Sequence, residues 1–200
     1  MSAHKDYLSL PLKDLLSDVA AKTPTPGGAS VAAAVGALGA SLARMALAYT
    51  VDKPDRAAEA GQLNGLMEEL AGAGEQFGHL MTEDMAAYEQ YAAARKGSDD
   101  QKQHALLRAI AVPMEIIVLA GAVAARLDEV KTIVNPHLLP DLQAAAVLAS
   151  CAARAASTSA RGNLTQLANR REAERLENQL DLLLGRLARH RNAVVHYEHA

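Results

Sequence analysis

Hydrophobic and small residues recur with helical spacing along most of the 200-residue chain. This pattern predicts six helices, and Pro, Gly and capping residues mark most of their boundaries. No run of β-branched and aromatic residues is long enough to indicate a sheet. We therefore predict an all-α fold, a bundle of about six helices with several long ones, in a single domain over residues 1–200.

The predicted helices differ in what begins and ends them. Ser9 is the predicted cap of the first helix, with Pro11 near its first turn. Gly97 ends the third helix, Ser98 caps the fourth, and Pro113 is expected to kink the fourth. The predicted spans are residues 12–21, 28–50, 54 or 55 to 96, 98–131, 141 to beyond 161, and 172–195.

The second predicted helix has a face with almost no side-chain bulk. Small residues recur there at every fourth position, with further small residues beside them, so another helix can approach closely. Tight packing within one subunit and a close crossing between subunits both fit this face. The small residues are Gly28, Ala32, Gly36 and Ala40, with Ala29, Ala33, Ala37 and Ser41.

The third and fourth predicted helices are too long for a compact monomer. The third, with about 40 residues, would span roughly 60 Å. Either this helix breaks at Gly72 or Gly74, or a second subunit covers its far end. We expect a homodimer.

Composition narrows the class of protein further. Aromatic residues make up only 3% of the chain, which favours closely packed helices over sheets. The net charge of -3 does not favour a nucleic-acid partner. Cys151 is the single cysteine, so an internal disulfide is excluded and a reducing, cytoplasmic location is expected.

Membrane partners are not expected either. The N-terminal sequence MSAHKDYLSLPLKD lacks the apolar core of a signal peptide. Two apolar runs, residues 27–43 and 109–125, are interpreted as buried helices of a soluble protein. The first is short and interrupted by glycine, and the second carries Pro113 and Glu115.

The segment TPTPGGAS, residues 23–30, is the strongest candidate for a binding element. Pro24 and Pro26 stiffen the approach to the second helix, and Gly27 and Gly28 allow backbone N–H groups to come close to a ligand. Ser30 lies in the first turn. Such a helix start suits a carbonyl oxygen or a carboxylate. A plain capped loop is the alternative, and a phosphate loop is not indicated because the GK[ST] ending is missing.

The sequence TPTPGGASVAAAVGALGASLARMALAYT, followed by Lys53, resembles the start of the cyclodeaminase part of the formiminotransferase-cyclodeaminase family. That part also occurs alone as methenyltetrahydrofolate cyclohydrolase. Four later segments are similar to family segments in the same order, so the resemblance covers nearly the whole chain. They are EDMAAY (83–88), AVP (111–113), VNPHLLPD (134–141) and ARGNL (160–164).

The resemblance implies a small-molecule folate substrate and no metal. The reaction is either hydrolysis of 5,10-methenyltetrahydrofolate to 10-formyltetrahydrofolate or cyclising deamination of 5-formiminotetrahydrofolate. The chain shows no formiminotransferase region, which slightly favours the cyclohydrolase. Both reactions need a proton moved at nitrogen, for which a carboxylate in a partly dry site is suited.

Asp84 and Asp141 are the candidate catalytic carboxylates. Asp84 is the first candidate, with a solvated surface acid as the alternative. Asp141 is predicted to bond the N–H edge of the pterin or, equally well, to cap a helix. Lys53 is predicted to meet the glutamate tail, and Asn163 to offer mixed donor and acceptor contacts. The full set of candidate substrate-binding residues is Gly27, Gly28, Ser30, Lys53, Tyr88, Asn135 and Asn163.

Two other functions remain open. Arg191 and His196 resemble the Arg-x4-His signature of the HEPN family of α-helical proteins, which includes ribonucleases. A catalytically inactive dimeric scaffold is the third reading, because Pro140 and Ser159 replace a Ser and an Asn of the family pattern. The C-terminal histidines are not predicted to bind a metal.

Overall fold

The computed structural model describes residues 5–199. It is all-α, as predicted, and no strand occurs within that range. Short 3₁₀ turns at Pro54–Arg56 and Pro136–Leu138 precede two of the helices. The six helices are α1 Leu12–Ala20, α2 Gly28–Val51, α3 Ala60–Ala94, α4 Asp99–Val130, α5 Leu139–Leu164 and α6 Arg170–Val195.

Helices α2 to α5 form the central bundle. Helix α2 packs mainly against α3 and α5, α4 packs against the same two helices, and α6 covers α4 and α5. Helix α1 has no buried residue and lies outside this core. Helices α2 and α5 run antiparallel, since Gly28 lies beside Ser159 whereas Thr50 lies beside Asn135.

The helix starts confirm one predicted cap and overturn another. Ser98 begins α4 with a capping box, in which its side chain accepts the Gln101 N–H. Ser9 does not cap α1, because Pro11 occupies that position. The Ser9 hydroxyl instead donates to the Asp6 carbonyl, 2.8 Å away, within a turn that precedes the helix.

Helix α3 runs unbroken through Gly72 and Gly74, so the first of the two alternatives, a break there, is wrong. The second alternative, that another subunit covers the far end of the helix, stays a prediction. Each glycine costs a helix about 1 kcal/mol relative to alanine. Burial of α3 side chains from Leu63 to Ala87 outweighs this cost. The helix also begins later than predicted, because Pro54 starts a separate 3₁₀ turn.

The bulk-free face of α2 is buried within the chain. Ala32 and Ala40 are fully buried, and an added Cβ on Gly36 would lie 2.6 Å from the Phe77 ring. The six buried residues of the face therefore serve close packing inside the subunit and do not form a crossing between subunits, whereas Gly28 and Ser41 at its two ends are exposed.

Helices α2 and α4 are long and apolar enough, by length and composition alone, to cross a membrane, with mean hydropathies of 1.7 and 2.0. Core helices of soluble proteins share these properties. Both helices pack against at least three other helices of the bundle. Helix α4 continues through Pro113.

Gly36→Ala is expected to lower the free energy of unfolding by about 1–3 kcal/mol, because the new methyl group overlaps the fully buried Phe77 ring. Urea denaturation followed by circular dichroism measures the change. Gly72→Ala is the matched control on α3, where an added Cβ meets nothing within 4 Å. It is expected to stabilise the protein by about 0.5–1 kcal/mol. Equal effects of the two substitutions would contradict the close packing.

Candidate active site

A cleft of about 470 Å³ opens where the start of α2 meets the last third of α3, the first third of α4 and the last turns of α5. Three segments supply most of its wall: the residues before and at the start of α2, one face of α3 and one face of α5. The lining residues are Pro24, Thr25, Gly27, Gly28, Ala29, Asp84, Tyr88, Tyr91, Ala109, Ser159, Gly162, Asn163 and Gln166.

Asp84 is the carboxylate of this cleft. Burial raises the pKa of Asp84, while the hydroxyl and the backbone N–H of Ser30 act in the opposite direction. The Ser30 hydroxyl donates to Asp84 Oδ2 at 2.6 Å, and Ser30 is fully buried. Ser30 was a candidate for substrate contact, but its side chain is committed to Asp84. The carboxylate thus sits at the N-terminus of α2 and keeps Oδ1 as its second oxygen.

The segment before α2 brings backbone atoms to the cleft. Gly27 is extended at the N-cap, with φ -106° and ψ -166°, and its carbonyl accepts the Val31 N–H at 3.0 Å. Gly28 begins the helix, and an added Cβ there would lie 3.5 Å from Ser159 Oγ. Both glycines face the cleft that contains Asp84, so the helix start and the carboxylate share one opening.

Asn163 replaces a backbone hydrogen bond that Pro113 removes from α4. Proline has no N–H, so the carbonyl of Ala109, four residues earlier, loses its helical donor. The Asn163 side chain donates to that carbonyl through Nδ2 at 2.8 Å. The amide nitrogen carries a second N–H group, so Asn163 keeps one donor and its Oδ1 acceptor, and its mixed donor and acceptor role stays a prediction.

Two tyrosines stand one and two turns after Asp84 on α3. Tyr88 lines the cleft and flanks Asp84 from the next turn, with its side chain partly exposed. The Tyr91 hydroxyl donates to Gln166 Oε1 at 2.6 Å, which links α3 to the residues after α5. The cleft therefore combines flat aromatic rings with a carboxylate and amide groups.

Lys53, Asn135 and Asp141 lie outside this cleft. The first two stand near the C-terminal end of α2, and Asp141 stands in the first turn of α5. Because α2 and α5 are antiparallel, that end of the bundle is about 35 Å from the cleft. One ligand cannot reach both ends within a protomer.

Two of these three residues, Asn135 and Asp141, have structural roles where they stand. The Asn135 side chain accepts a hydrogen bond from the His137 backbone N–H. The Asn135 backbone N–H donates to Thr50 Oγ1 at 3.0 Å. Asp141 is the third residue of α5, and Leu138 takes the cap position, so the predicted N-cap role is wrong. Asp141 still favours the helix by its charge in the first turn.

Several lining residues were not among the sequence candidates. Ser159 and Gln166 join Asn163 at i, i+4 and i+7, and Tyr91 joins Asp84 and Tyr88 with the same spacing. Polar residues repeated at helical spacing on two separate helices are the signal that identifies such a face. Ala109 carries no signal of its own, since only its carbonyl matters.

The remaining candidates do not join the cleft. Within residues 5–199, no group of three or more His, Cys, Asp or Glu side chains is placed to hold a metal ion. The absence of a metal requirement stays a prediction. Arg191 lies on α6 and His196 ends that helix, away from the cleft.

The chain is similar to known folate proteins. The sequence model of the formiminotransferase-cyclodeaminase family matches residues 11–182. A methenyltetrahydrofolate cyclohydrolase of Methylorubrum extorquens is 27% identical over 190 residues, covering 86% of this chain and 88% of that protein. The crystal structure of a formiminotetrahydrofolate cyclodeaminase from Thermotoga maritima superposes with a TM-score of 0.91 at 26% identity, covering 94% of both chains. These similarities do not favour the HEPN-like alternative.

Asn163→Ala is expected to cost about 1–3 kcal/mol of stability, because the Ala109 carbonyl loses its partner. In a Pro113→Ala background the restored N–H can bond that carbonyl, so the same substitution costs less. A double-mutant cycle from urea unfolding should give a coupling of about 1 kcal/mol. Asn64→Ala, on the exposed face of α3, is the control and should be additive with Pro113→Ala. Additivity of Asn163→Ala with Pro113→Ala would contradict the interaction.

Proposed function

The chain belongs to the formiminotransferase-cyclodeaminase family, and we propose that it is an enzyme acting on the one-carbon bridge between N5 and N10 of tetrahydrofolate. Its reaction is the hydrolysis of 5,10-methenyltetrahydrofolate or the cyclising deamination of 5-formiminotetrahydrofolate. The observation that carries the proposal is the partly buried carboxylate of Asp84, which lies inside a cleft beside the start of α2.

The cleft suits a reduced pterin in size and chemistry. Its volume of about 470 Å³ lies in the range usual for small-molecule sites. Tyr88 and Tyr91 offer flat faces for a ring. The Oδ1 atom of Asn163 is an acceptor for pterin N–H groups, and the second N–H of Nδ2 is a donor for a pterin carbonyl or ring nitrogen.

In the hydrolytic reaction, water adds to the bridge carbon of the methenyl cation. Asp84 accepts a proton from this water, which leaves a neutral tetrahedral adduct. The C–N5 bond then breaks as N5 takes up a proton and the adduct oxygen loses one. The products are 10-formyltetrahydrofolate and one released proton. Asp84 is placed to accept the first proton and to return one to N5.

In the deamination, N10 adds to the formimino carbon attached to N5. The former imino nitrogen takes the N10 proton and becomes the amino group of the tetrahedral adduct, and one further proton converts it to an ammonium group. Ammonia then leaves and the methenyl cation forms. Here the neutral form of Asp84 donates and its ionised form accepts, so one carboxyl group serves both reactions.

A raised pKa suits Asp84 to this exchange. A proton carrier works best when its pKa lies near the working pH, and burial moves this carboxyl group in that direction. Ser30 holds the carboxylate in place and limits the rise of its pKa. We therefore assign Asp84 as the catalytic residue and Ser30 as a positioning residue.

We also propose a cytoplasmic homodimer that needs no metal and binds no nucleic acid. An apolar stripe on α2 supports the dimer, because Leu38 and Tyr49 of that helix are more than half exposed. The net charge and the single cysteine support the remaining points.

Asp84→Asn is expected to lower kcat by about 10²–10⁴-fold, the usual contribution of a positioned acid or base. The absorbance of the methenyl group follows both reactions, and assays on the two folates decide which one the protein catalyses. Glu83→Gln is the matched control, since Glu83 is the neighbouring carboxylate and pairs with Arg108 on the outside. Full activity of Asp84→Asn would refute the assignment, and inactivity of the native protein on both folates would favour an inactive scaffold.

Ser30→Ala is expected to shift the acidic limb of the kcat/KM profile to higher pH. The Ser30 hydroxyl lowers the pKa of Asp84, so its removal raises that pKa and delays formation of the ionised base as pH increases. The plateau at high pH should be retained. Ser157→Ala is the control, because that buried hydroxyl bonds the Arg154 carbonyl of its own helix. An unchanged or downward-shifted limb in Ser30→Ala would contradict the positioning role.

A further inference from the structure

The outward face of α2 carries a continuous apolar stripe. Its six residues follow one another at intervals of four, three, four, three and four, the spacing at which two helices pack along a seam. Leu38 and Tyr49 are 58% and 61% exposed. Arg44, the one charged residue of α2, lines a groove that also contains Glu75 and that the stripe borders only at Met45. The stripe consists of Val31, Val35, Leu38, Leu42, Met45 and Tyr49.

This stripe is symmetric about position 40. Val31 and Tyr49 each lie nine positions from it, Val35 and Met45 five, and Leu38 and Leu42 two. A second α2 that runs antiparallel across a two-fold axis at this position therefore places each residue opposite its counterpart. Such a pairing is self-complementary, as a two-fold interface requires.

The same symmetry relates the two ends of α2. Gly27 and Lys53 each lie thirteen positions from position 40, and Gly28 and Asp52 lie twelve. Antiparallel pairing therefore brings the Asp52 end of one helix beside the start of the other. The charges there are complementary, because the first N–H groups of a helix carry partial positive charge and Asp52 is an acid.

The cleft of one protomer lacks a group that its proposed ligand needs. Its lining contains no Lys, Arg or His side chain, although the glutamate tail of a folate carries carboxylates. Lys53 is exposed and, within residues 5–199, makes no ion pair. It lies roughly 39 Å along α2 from Gly27, too far to serve its own cleft.

We propose that α2 pairs antiparallel with α2 of a second copy, and that the partner's Lys53 completes the cleft by binding the carboxylates of the folate tail. The identity of the anion rests on the proposed function. The pairing itself rests on the stripe alone. Each dimer then contains two sites, and each site takes Asp84 from one protomer and Lys53 from the other.

Disulfide trapping tests the pairing without any ligand. In a Cys151→Ser background, V31C protein mixed with Y49C protein should form a cross-linked heterodimer on mild oxidation with diamide. Each variant alone should not, since equivalent positions in the pair are roughly 27 Å apart. Cross-linking of V31C with itself would indicate parallel pairing and overturn the proposal, as would the absence of a V31C–Y49C product.

Light scattering tests whether the stripe holds the dimer. Leu38→Glu should convert the protein to a monomer by placing a charge near the two-fold axis. Leu182→Glu is the matched control, because Leu182 on α6 is similarly exposed, at 64%, and lies off the stripe. A Leu38→Glu protein that remains dimeric would overturn the pairing.

Steady-state kinetics and ligand affinity test the role of Lys53. Lys53→Ala should raise KM by about five- to tenfold with kcat unchanged, as expected for loss of one charge-assisted contact. Its affinity for tetrahydropteroate, which lacks the glutamate, should be unchanged. Lys22→Ala, an exposed lysine just before the cleft in the same chain, is the control and should keep the native KM.

Mixed dimers distinguish contact across the pair from contact within one chain. When Asp84→Asn and Lys53→Ala proteins are re-equilibrated together, each mixed dimer regains one site with both residues, so roughly a quarter of all sites should show the native KM. Activity equal to the plain average of the two variants would overturn the assignment of Lys53. If the native protein turns over neither folate, the proposed function fails, whereas the cross-linking result still decides the pairing.

Discussion

The inner face of α2 is the constraint on which the rest of the structure depends. Because this face has almost no side-chain bulk, α3 and α5 approach it closely, and Phe77 fills the space that Gly36 leaves. The close approach has a chemical consequence at the start of the helix. It brings the Ser30 hydroxyl within 2.6 Å of Asp84, which could not bond a side chain on a helix held further away.

A second constraint, in α4, has a similar consequence. Pro113 removes one backbone donor from an otherwise regular helix, and the freed carbonyl of Ala109 opens into the same cleft. Asn163 supplies the missing donor from α5. The cleft is thus lined at two points by groups that first satisfy the fold. These structural bonds fix the positions from which Asp84 and Asn163 present their remaining hydrogen-bonding groups to a ligand.

The sequence predicted the helices well because their signals are local. Helical spacing and the Ser98 cap give the class and most boundaries, and family motifs in order indicate the related proteins. The break at Gly72 failed because burial along α3 outweighs the local cost of glycine. The positions of the candidate site residues could not be predicted for a different reason. Motif order along the chain does not show which motifs lie at the same end of the bundle, and Asp141 and Asn163, both site candidates, stand at opposite ends of α5 within one protomer.

Both faces of α2 are apolar and must be shielded from water, and each is shielded in a different way. A helix of 24 residues with a single charged side chain has apolar groups all around it, and water is a poor solvent for either face. The protomer covers the face of small residues with α3 and α5, where backbones can come close. The other face carries larger side chains, and two of them, Leu38 and Tyr49, are more than half exposed in the protomer. Large residues at seam spacing suit a second helix of the same kind, because each chain can then bury what the other exposes. On this view the helix that shapes the cleft at its start also joins the subunits along its length, and folding, assembly and the completeness of the site depend on the same 24 residues.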